Sequence, residues 1–378
     1  MRAPDSLDIF LVVPPGLEPF LADEARARGF ADPRPVPGGV ELRGGWPEVW
    51  RANLTLRGAT RVLVRLASFR APHLAQLDKR ARRLPWAQTL RPDVPLRIEA
   101  SCRRSRIWHA GAAAQRIETA LRETLGAEIR PDAPLALKVR IEDDLCTVSL
   151  DSSGEPLHRR GHKPAVGKAP LRETLAALFL RACGYDGQEP VVDPMCGSGT
   201  LVLEAAEIAA GLAPGRSRSF AFERLAGFDP AAWEAMRSTA RAAPPPGPPR
   251  CFGSDRDQGA VAMAQANATR AGVDALCRFH RAAVSDLTPP EGPPGLVIVN
   301  PPYGARIGNP RLLHALYGAL GATLRRGFAG WRVGLVTSEP GLARATGLPF
   351  APPGPRIDHG GLPIQLWRSP PLPPGDRP

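Results

Sequence analysis

From residue 171 onward the sequence alternates helix and short apolar strand, and the strands end on residues able to do chemistry. Segments 190–193, 251–255, 295–300 and 332–337 read as buried strands. Segments 171–183, 200–210, 259–272 and 310–326 carry apolar residues at helical spacing. Strand–helix alternation at that spacing builds βαβ units, whose strands lie parallel in a doubly wound sheet. The carboxyl ends of such strands share one edge, and ligands bind there. Residues directly after each strand are therefore the candidates for chemistry.

The first 156 residues are patterned differently. Strands are expected at 7–13, 39–43, 61–69, 96–100, 135–141 and 145–150, the last two as a hairpin around Glu142-Asp143-Asp144, and helices at 18–28, 73–84 and 110–125. That mixture is α+β rather than one parallel sheet. A polar, basic stretch at 157–168 separates the two patterns and reads as a linker.

Charge is concentrated in the first half. Residues 51–116 hold fifteen Arg or Lys against Asp78, Asp93 and Glu99, an excess of +12 that equals the formal net charge of +12 of the whole chain. Such a field is the footprint of a polyanion-binding surface. Arg80, Arg82, Arg83, Arg103, Arg104 and Arg106 are its candidate phosphate contacts, with Arg160, His162 and Lys163 in the linker. The competing reading is a solvated arginine-rich face. Six cysteines without a CxxC pair argue against zinc and against a disulfide framework, so no metal is expected. No run of 18 apolar residues exists, and the N-terminus lacks the flanks of a signal peptide, which makes a cytoplasmic monomer the expectation.

Three strand ends carry the chemistry. The first is Asp193-Pro194-Met195-Cys196-Gly197-Ser198-Gly199-Thr200, where small residues let backbone approach a ligand. It is not a dinucleotide fingerprint, because Val202 stands where the third glycine belongs. Nor is it a P-loop: no Lys follows, and the nearest GK, Gly167-Lys168, has His162 and Ala169 in the wrong places. The second is Asp255-Arg256-Asp257. A carboxylate there can accept both ribose hydroxyls of an adenosine ligand, with Asp257 as a helix N-cap. Asp286 is placed to receive an adenine amino group, or is a turn residue.

The third strand end is Asn300-Pro301-Pro302-Tyr303. Two prolines stiffen the backbone and remove two donors, leaving the Asn300 side-chain oxygen and the Pro301 carbonyl as acceptors for one amino group. Tyr303 offers a flat face on which a base can stack. An exocyclic base nitrogen is a poor nucleophile because its lone pair is delocalised into the ring. Two acceptors on its hydrogens favour a pyramidal, cationic nitrogen, and orientation toward a methyl donor supplies much of the acceleration. The base must be unpaired or flipped out.

These residues resemble the class I S-adenosylmethionine-dependent methyltransferases that act on exocyclic nitrogens of adenine and guanine. LDSSGEPLHRRGHK, DPMCGSGTLVLEAA, FAFERLAGFDPAAWEAM, GSDRDQGAVAMAQANATRAG and NPPYGARIG, in this order, are similar to the THUMP-domain guanine-N2 methyltransferases over roughly residues 150–310. The segment from Phe220 to Trp233 is most similar to their 23S ribosomal RNA branch.

The resemblance implies S-adenosylmethionine as cofactor and RNA as partner. It implies a Rossmann-like methyltransferase domain at 169–369, a ferredoxin-like region at 1–55 and a THUMP RNA-binding region at 56–156, while the proline-rich stretch at 370–378 reads as a disordered tail. Residues 193–200 inherit the methionine part of the cofactor, Asp255 the ribose, Asp286 the adenine, and residues 300–303 the target base. Cys196 is not read as a nucleophile, since cytosine-C5 enzymes need a cysteine where this chain has Asn-Pro-Pro-Tyr. Transfer of the same kind to tRNA, methylation of adenine N6, and a non-catalytic RNA-binding assembly factor stand as alternatives.

Overall fold

The computed structural model describes residues 6–161, 171–241, 250–304 and 310–374. They fall into two compact units. One gathers Met1–Val13, Ala22–Leu157 and Arg218–Ala240, the other Pro14–Leu21, His158–Ser217 and Arg241–Pro378.

The chain runs β1 (Leu7–Val12), α1 (Glu18–Ala27), β2 (Arg34–Val36), β3 (Gly39–Gly44), α2 (Trp46–Thr55), β4 (Arg61–Arg70), α3 (Leu74–Ala81), β5 (Leu96–Arg103), α4 (Ala110–Leu125), β6 (Leu135–Glu142) and β7 (Leu145–Asp151). The seven strands form a single sheet in the order β2-β3-β1-β4-β7-β6-β5. Neighbours are antiparallel except β5 and β6, which lie parallel on either side of the α4 crossover. Leu7, Ile9 and Leu11 of β1 are buried and alternate with more exposed residues, as a half-covered sheet requires. The two regions expected at 1–55 and 56–156 thus share one sheet, joined where β4 pairs with β1 on one side and β7 on the other.

Residues 218–240, which follow in sequence only after α6 below, belong to this first unit. Phe220, Phe222, Phe228 and Trp233 close around Trp50 of α2, with Phe222 and Trp233 edge to face at 5.0 Å. The backbone of Phe222 also donates to the Ser152 carbonyl and that of Ala226 to the Thr89 carbonyl.

The second unit runs α5 (Glu173–Ala182), β8 (Val191–Asp193) and α6 (Thr200–Ala209). After α7 (Pro230–Arg241) it continues with β9 (Cys251–Asp255), α8 (Gln258–Ala271), β10 (Cys277–Arg281), β11 (Leu296–Val299), α9 (Pro310–Gly327), β12 (Arg332–Thr337), α10 (Pro340–Ala345), β13 (Ile357–His359) and β14 (Leu362–Arg368). Its sheet has the order β10-β9-β8-β11-β12-β14-β13. Strands β8 to β12 are parallel, and β14 is antiparallel to β12. The order reverses between β8 and β11, so the crevice at their carboxyl ends is the topological switch point. Val297, Val299, Tyr317, Leu320, Leu324 and Leu335 pack there into a fully buried layer.

Three expectations need correction. The helix expected at 73–84 stops at Ala81, after which Arg83 and Leu84 donate to the Arg80 and Ala81 carbonyls and the chain tightens into i→i+3 turns. The segment 39–43 is followed by α2, which the pattern had not suggested. And the tail at 370–378 is not disordered throughout: Leu372 is buried and exchanges hydrogen bonds with Gly330 and Trp331. Residues 375–378 lie outside the described residues. Among the described residues, no helix is long and apolar enough to cross a membrane.

Candidate active site

Strands β8, β9 and β11 are adjacent and parallel, which brings three chemistry-bearing strand ends to one edge. After β8 the chain turns through Gly197 and Gly199, both at positive φ (51° and 84°), and enters α6. A Cβ on Gly199 would meet Ala264 of α8 at 3.1 Å, so the glycine permits close helix packing. A Cβ on Gly197 would meet nothing within 4 Å, so its backbone faces open space. That opening fits a ligand held against main chain, the role expected of residues 193–200. Pro194 and Ser198 are buried and Met195 half-buried along the same turn. Ser198 is held in place by Asn267 of α8, whose amide donates to its carbonyl (3.0 Å).

Asp255 ties this loop to β9. Its Oδ2 accepts the Gly197 N–H (3.0 Å) and its Oδ1 the Asp257 N–H (3.0 Å). A carboxylate has about four acceptor positions, so each oxygen keeps capacity for a ribose hydroxyl. Asp257 caps α8 through Gly259 (2.8 Å), as the sequence suggested. Arg256 is exposed, and its carbonyl accepts from Arg281. Asp286 lies in a short turn of helix after β10, exposed, and accepts from Ser285 (3.1 Å). It bonds to none of the other site residues among those described.

Asp193 is 2% exposed, and its Oδ1 accepts the Met195 N–H (3.1 Å). Desolvation pushes its carboxyl up to about 8. The Met195 N–H opposes the rise, and the neighbouring Asp255 charge adds to it. Burial, together with Asp193 and Asp255, also raises the Cys196 thiol far above its ordinary range. A thiol held protonated is no nucleophile, which agrees with the reading from sequence.

At the end of β11, Asn300 Oδ1 is buried and has no hydrogen-bond partner. A buried acceptor left unpaired costs about 1–3 kcal/mol, which makes Asn300 a candidate to receive a donor from a ligand. The loop that follows is held rigidly. Tyr317 of α9 donates to the Pro302 carbonyl, and the Glu339 carboxylate accepts the Gly304 N–H (2.9 Å). Tyr303 is half-buried and packs against the core layer, and desolvation raises its phenol. Tyr317 and Asn267 lay only inside helices expected from sequence, and Glu339 carried no expectation, so none of the three was named as a site residue.

The basic residues separate into two groups. Arg160 was expected on RNA but is 2% exposed and paired with the equally buried Glu204 of α6 (3.0 Å). It serves the interior of the second unit. Arg82 is paired with Asp78 and Glu123, Arg104 with Glu142 and Asp143, and Arg106 more distantly with Asp144 (3.9 Å). Arg80, Arg83 and Arg103 are exposed and lack a carboxylate partner among the described residues. His162 and Lys163 lie outside the described residues. Carboxylates distant in sequence therefore neutralise part of the +12 field. Among the described residues, no cluster of His, Cys, Asp or Glu could hold a metal ion.

Comparison with known proteins shows the family. Residues 160–348 match the family described as "RMKL-like, methyltransferase domain", and residues 8–63 match the RlmL ferredoxin-like domain. The chain is 38% identical to the ribosomal RNA large subunit methyltransferase K/L of Syntrophotalea carbinolica, over 92% of this chain and 51% of that protein. It spans about half the length of the K/L relatives it matches. It is 31% identical to a putative RNA methyltransferase of Synechocystis, over 95% of both chains. A crystal structure from Listeria monocytogenes, described as a predicted N6-adenine-specific DNA methylase, superposes with a TM-score of 0.88 at 28% identity, covering 96% of each chain.

Proposed function

The chain belongs to the RMKL-like methyltransferase domain family, and on that premise we propose that it transfers a methyl group from S-adenosylmethionine to the exocyclic N2 of a guanine in 23S ribosomal RNA. The observation that carries this reading is the buried, unpartnered Asn300 Oδ1 beside the Pro301 carbonyl. The name borne by the K/L relatives supplies the substrate.

S-adenosylmethionine, when bound, supplies an electrophilic sulfonium methyl and departs as a neutral thioether. The chain's residues divide the remaining work. Asp255 receives the ribose hydroxyls, the Gly197–Gly199 backbone lies along the methionine part, and Asp286 takes the adenine amino group. Arg256 borders that pocket. Asn300 Oδ1 and the Pro301 carbonyl each accept one hydrogen of the guanine amino group. Those two bonds orient the nitrogen lone pair and stabilise the positive charge that grows on it. Tyr303 stacks on the extruded base, and Pro302 keeps the loop free of competing donors. The region at 56–156 acts as a THUMP module that docks RNA, with Arg80, Arg83 and Arg103 as its free cations. The enzyme works as a monomer in the cytoplasm, where ribosomal RNA is made and assembled.

The test is nucleoside mass spectrometry of rRNA and tRNA from a strain lacking the gene, with the purified chain added back. Loss and restoration of N2-methylguanosine in 23S rRNA is the expected result. A change in N6-methyladenosine alone, or in tRNA alone, would overturn the assignment of base or substrate.

A further inference from the structure

Trp108 is 79% exposed, more than any other large apolar side chain among those described. It stands in the loop between β5 and α4, a loop held firmly beneath it. Ile107 is buried, the Arg106 N–H donates to Asp144 Oδ1 (2.8 Å), and Ser105 Oγ accepts the Asp144 N–H (3.1 Å). On the other side His109 caps α4, its Nδ1 accepting the Ala112 N–H (2.9 Å). The indole meets the His109 ring edge to face at 5.6 Å. An indole exposed on a mobile loop would signify little. Here the backbone on both sides is fixed, so the ring is presented in one place without the entropy cost of ordering a loop on binding.

The surroundings select the ligand. Among the described residues Arg103 is exposed without a carboxylate partner, and the Arg106 side chain is 70% exposed with a contact to Asp144 at 3.9 Å. An exposed aromatic face on the same loop as two exposed arginines matches the repeating unit of a single-stranded nucleic acid, a base flanked by phosphates. A protein interface core would instead be depleted of charge around its aromatic anchor.

We propose that Trp108 is a stacking platform for one unpaired base of the RNA substrate, with Arg103 and Arg106 receiving the flanking phosphates. This rests on the RNA reading above. It adds that the first unit grips RNA through a single-stranded element rather than through duplex shape alone.

The experiment compares the full-length chain with Trp108→Ala, Trp108→Phe and Arg103→Gln. Binding is measured by fluorescence anisotropy to an unstructured RNA oligonucleotide and to a blunt duplex of equal charge, over a range of salt. Trp108→Ala should weaken oligonucleotide binding about ten-fold, leave duplex binding and the salt slope unchanged, and be largely rescued by Trp108→Phe. Arg103→Gln should reduce the salt slope by about one phosphate contact. Affinity for S-adenosylhomocysteine should be the same in all four proteins. Equal losses on oligonucleotide and duplex, or no loss on either, would overturn the platform while leaving RNA methylation intact. Unchanged RNA binding with loss of a protein contact would assign Trp108 to a protein interface. No RNA binding by the unsubstituted chain would overturn the RNA reading itself.

Discussion

Tyr317 donates its hydroxyl hydrogen to the carbonyl of Pro302, 3.2 Å away, from a fully buried position in α9. The same oxygen lies 3.4 Å from Thr337 Oγ1, which accepts the Glu339 N–H at 3.2 Å. With the Glu339–Gly304 bond, these groups hold the Pro302–Gly304 loop from two sides. Tyr317→Phe deletes one hydrogen bond worth about 1 kcal/mol and loosens the orientation of the acceptors on the target amine. We expect kcat to fall about ten-fold, with KM for S-adenosylmethionine unchanged and melting lowered by about 2–4 °C. Steady-state kinetics settle the point: an unchanged kcat would leave Tyr317 as a packing residue only.

Asn300→Ala separates function from stability. It removes the acceptor for the target amine, so transfer should be abolished while cofactor affinity measured by calorimetry stays nearly unchanged. It also removes a buried oxygen that no group in the fold satisfies. The variant should therefore melt at or above the temperature of the parent. Loss of cofactor binding would contradict the role assigned to Asn300.

Asp193 gives the stability of the chain a pH signature. Its folded carboxyl titrates near 8, against about 3.9 unfolded. Between those values the folded state binds more protons than the unfolded one. This contribution is therefore fully present below about pH 4 and declines as pH rises to about 8. The stability difference between the parent and Asp193→Asn should shift against the parent from pH 5 to 8 and level off above it. Denaturant midpoints of both proteins at several pH values measure this. A difference that is flat from pH 5 to 8 would mean that Asp193 is ionised throughout.

Arg160 and Arg83 should fail in opposite ways. Arg160→Ala removes the buried cation that pairs with Glu204 and should cost about 3–5 kcal/mol of stability, without altering the salt slope of RNA binding. Arg83→Ala should leave melting unchanged and reduce that slope. Thermal melts and salt-dependent binding of the two variants distinguish the roles. Equal slopes for Arg83→Ala and the parent would mark its face as merely solvated.

The second unit was legible in the sequence because its information is local. Several strands carry short apolar runs, and the candidate residues stand at or directly after strand ends, so Asp193, Asp255 and Asn300 could be named before any contact was known. The first unit was legible only in its elements. The pairing of β4 with both β1 and β7 depends on residues far apart in the chain, and no periodicity records it. Arg160 misled for the same reason: in a run of arginines nothing marks the one whose partner is Glu204. The window charge of 51–116 was real, yet Glu123, Glu142, Asp143 and Asp144 lie outside it, far along the chain from their arginines, and discharge part of it. Tyr317 and Glu339 act through hydrogen bonds to backbone, which leave no mark on the residues that receive them.

Residues 218–240 set the order in which the protein can be completed as it leaves the ribosome. Trp50 emerges early, but its companions Phe222, Phe228 and Trp233 follow only after β8 and α6 have been synthesised. At about 5–20 residues per second, the first unit waits several seconds with an aromatic hollow open. A nascent chain halted at Leu157 would thus be an unfinished unit rather than a finished one. The second sheet likewise lacks β9 until the chain has passed residue 240. The two halves are folded on one timetable, and neither could be exchanged between genes by a single cut.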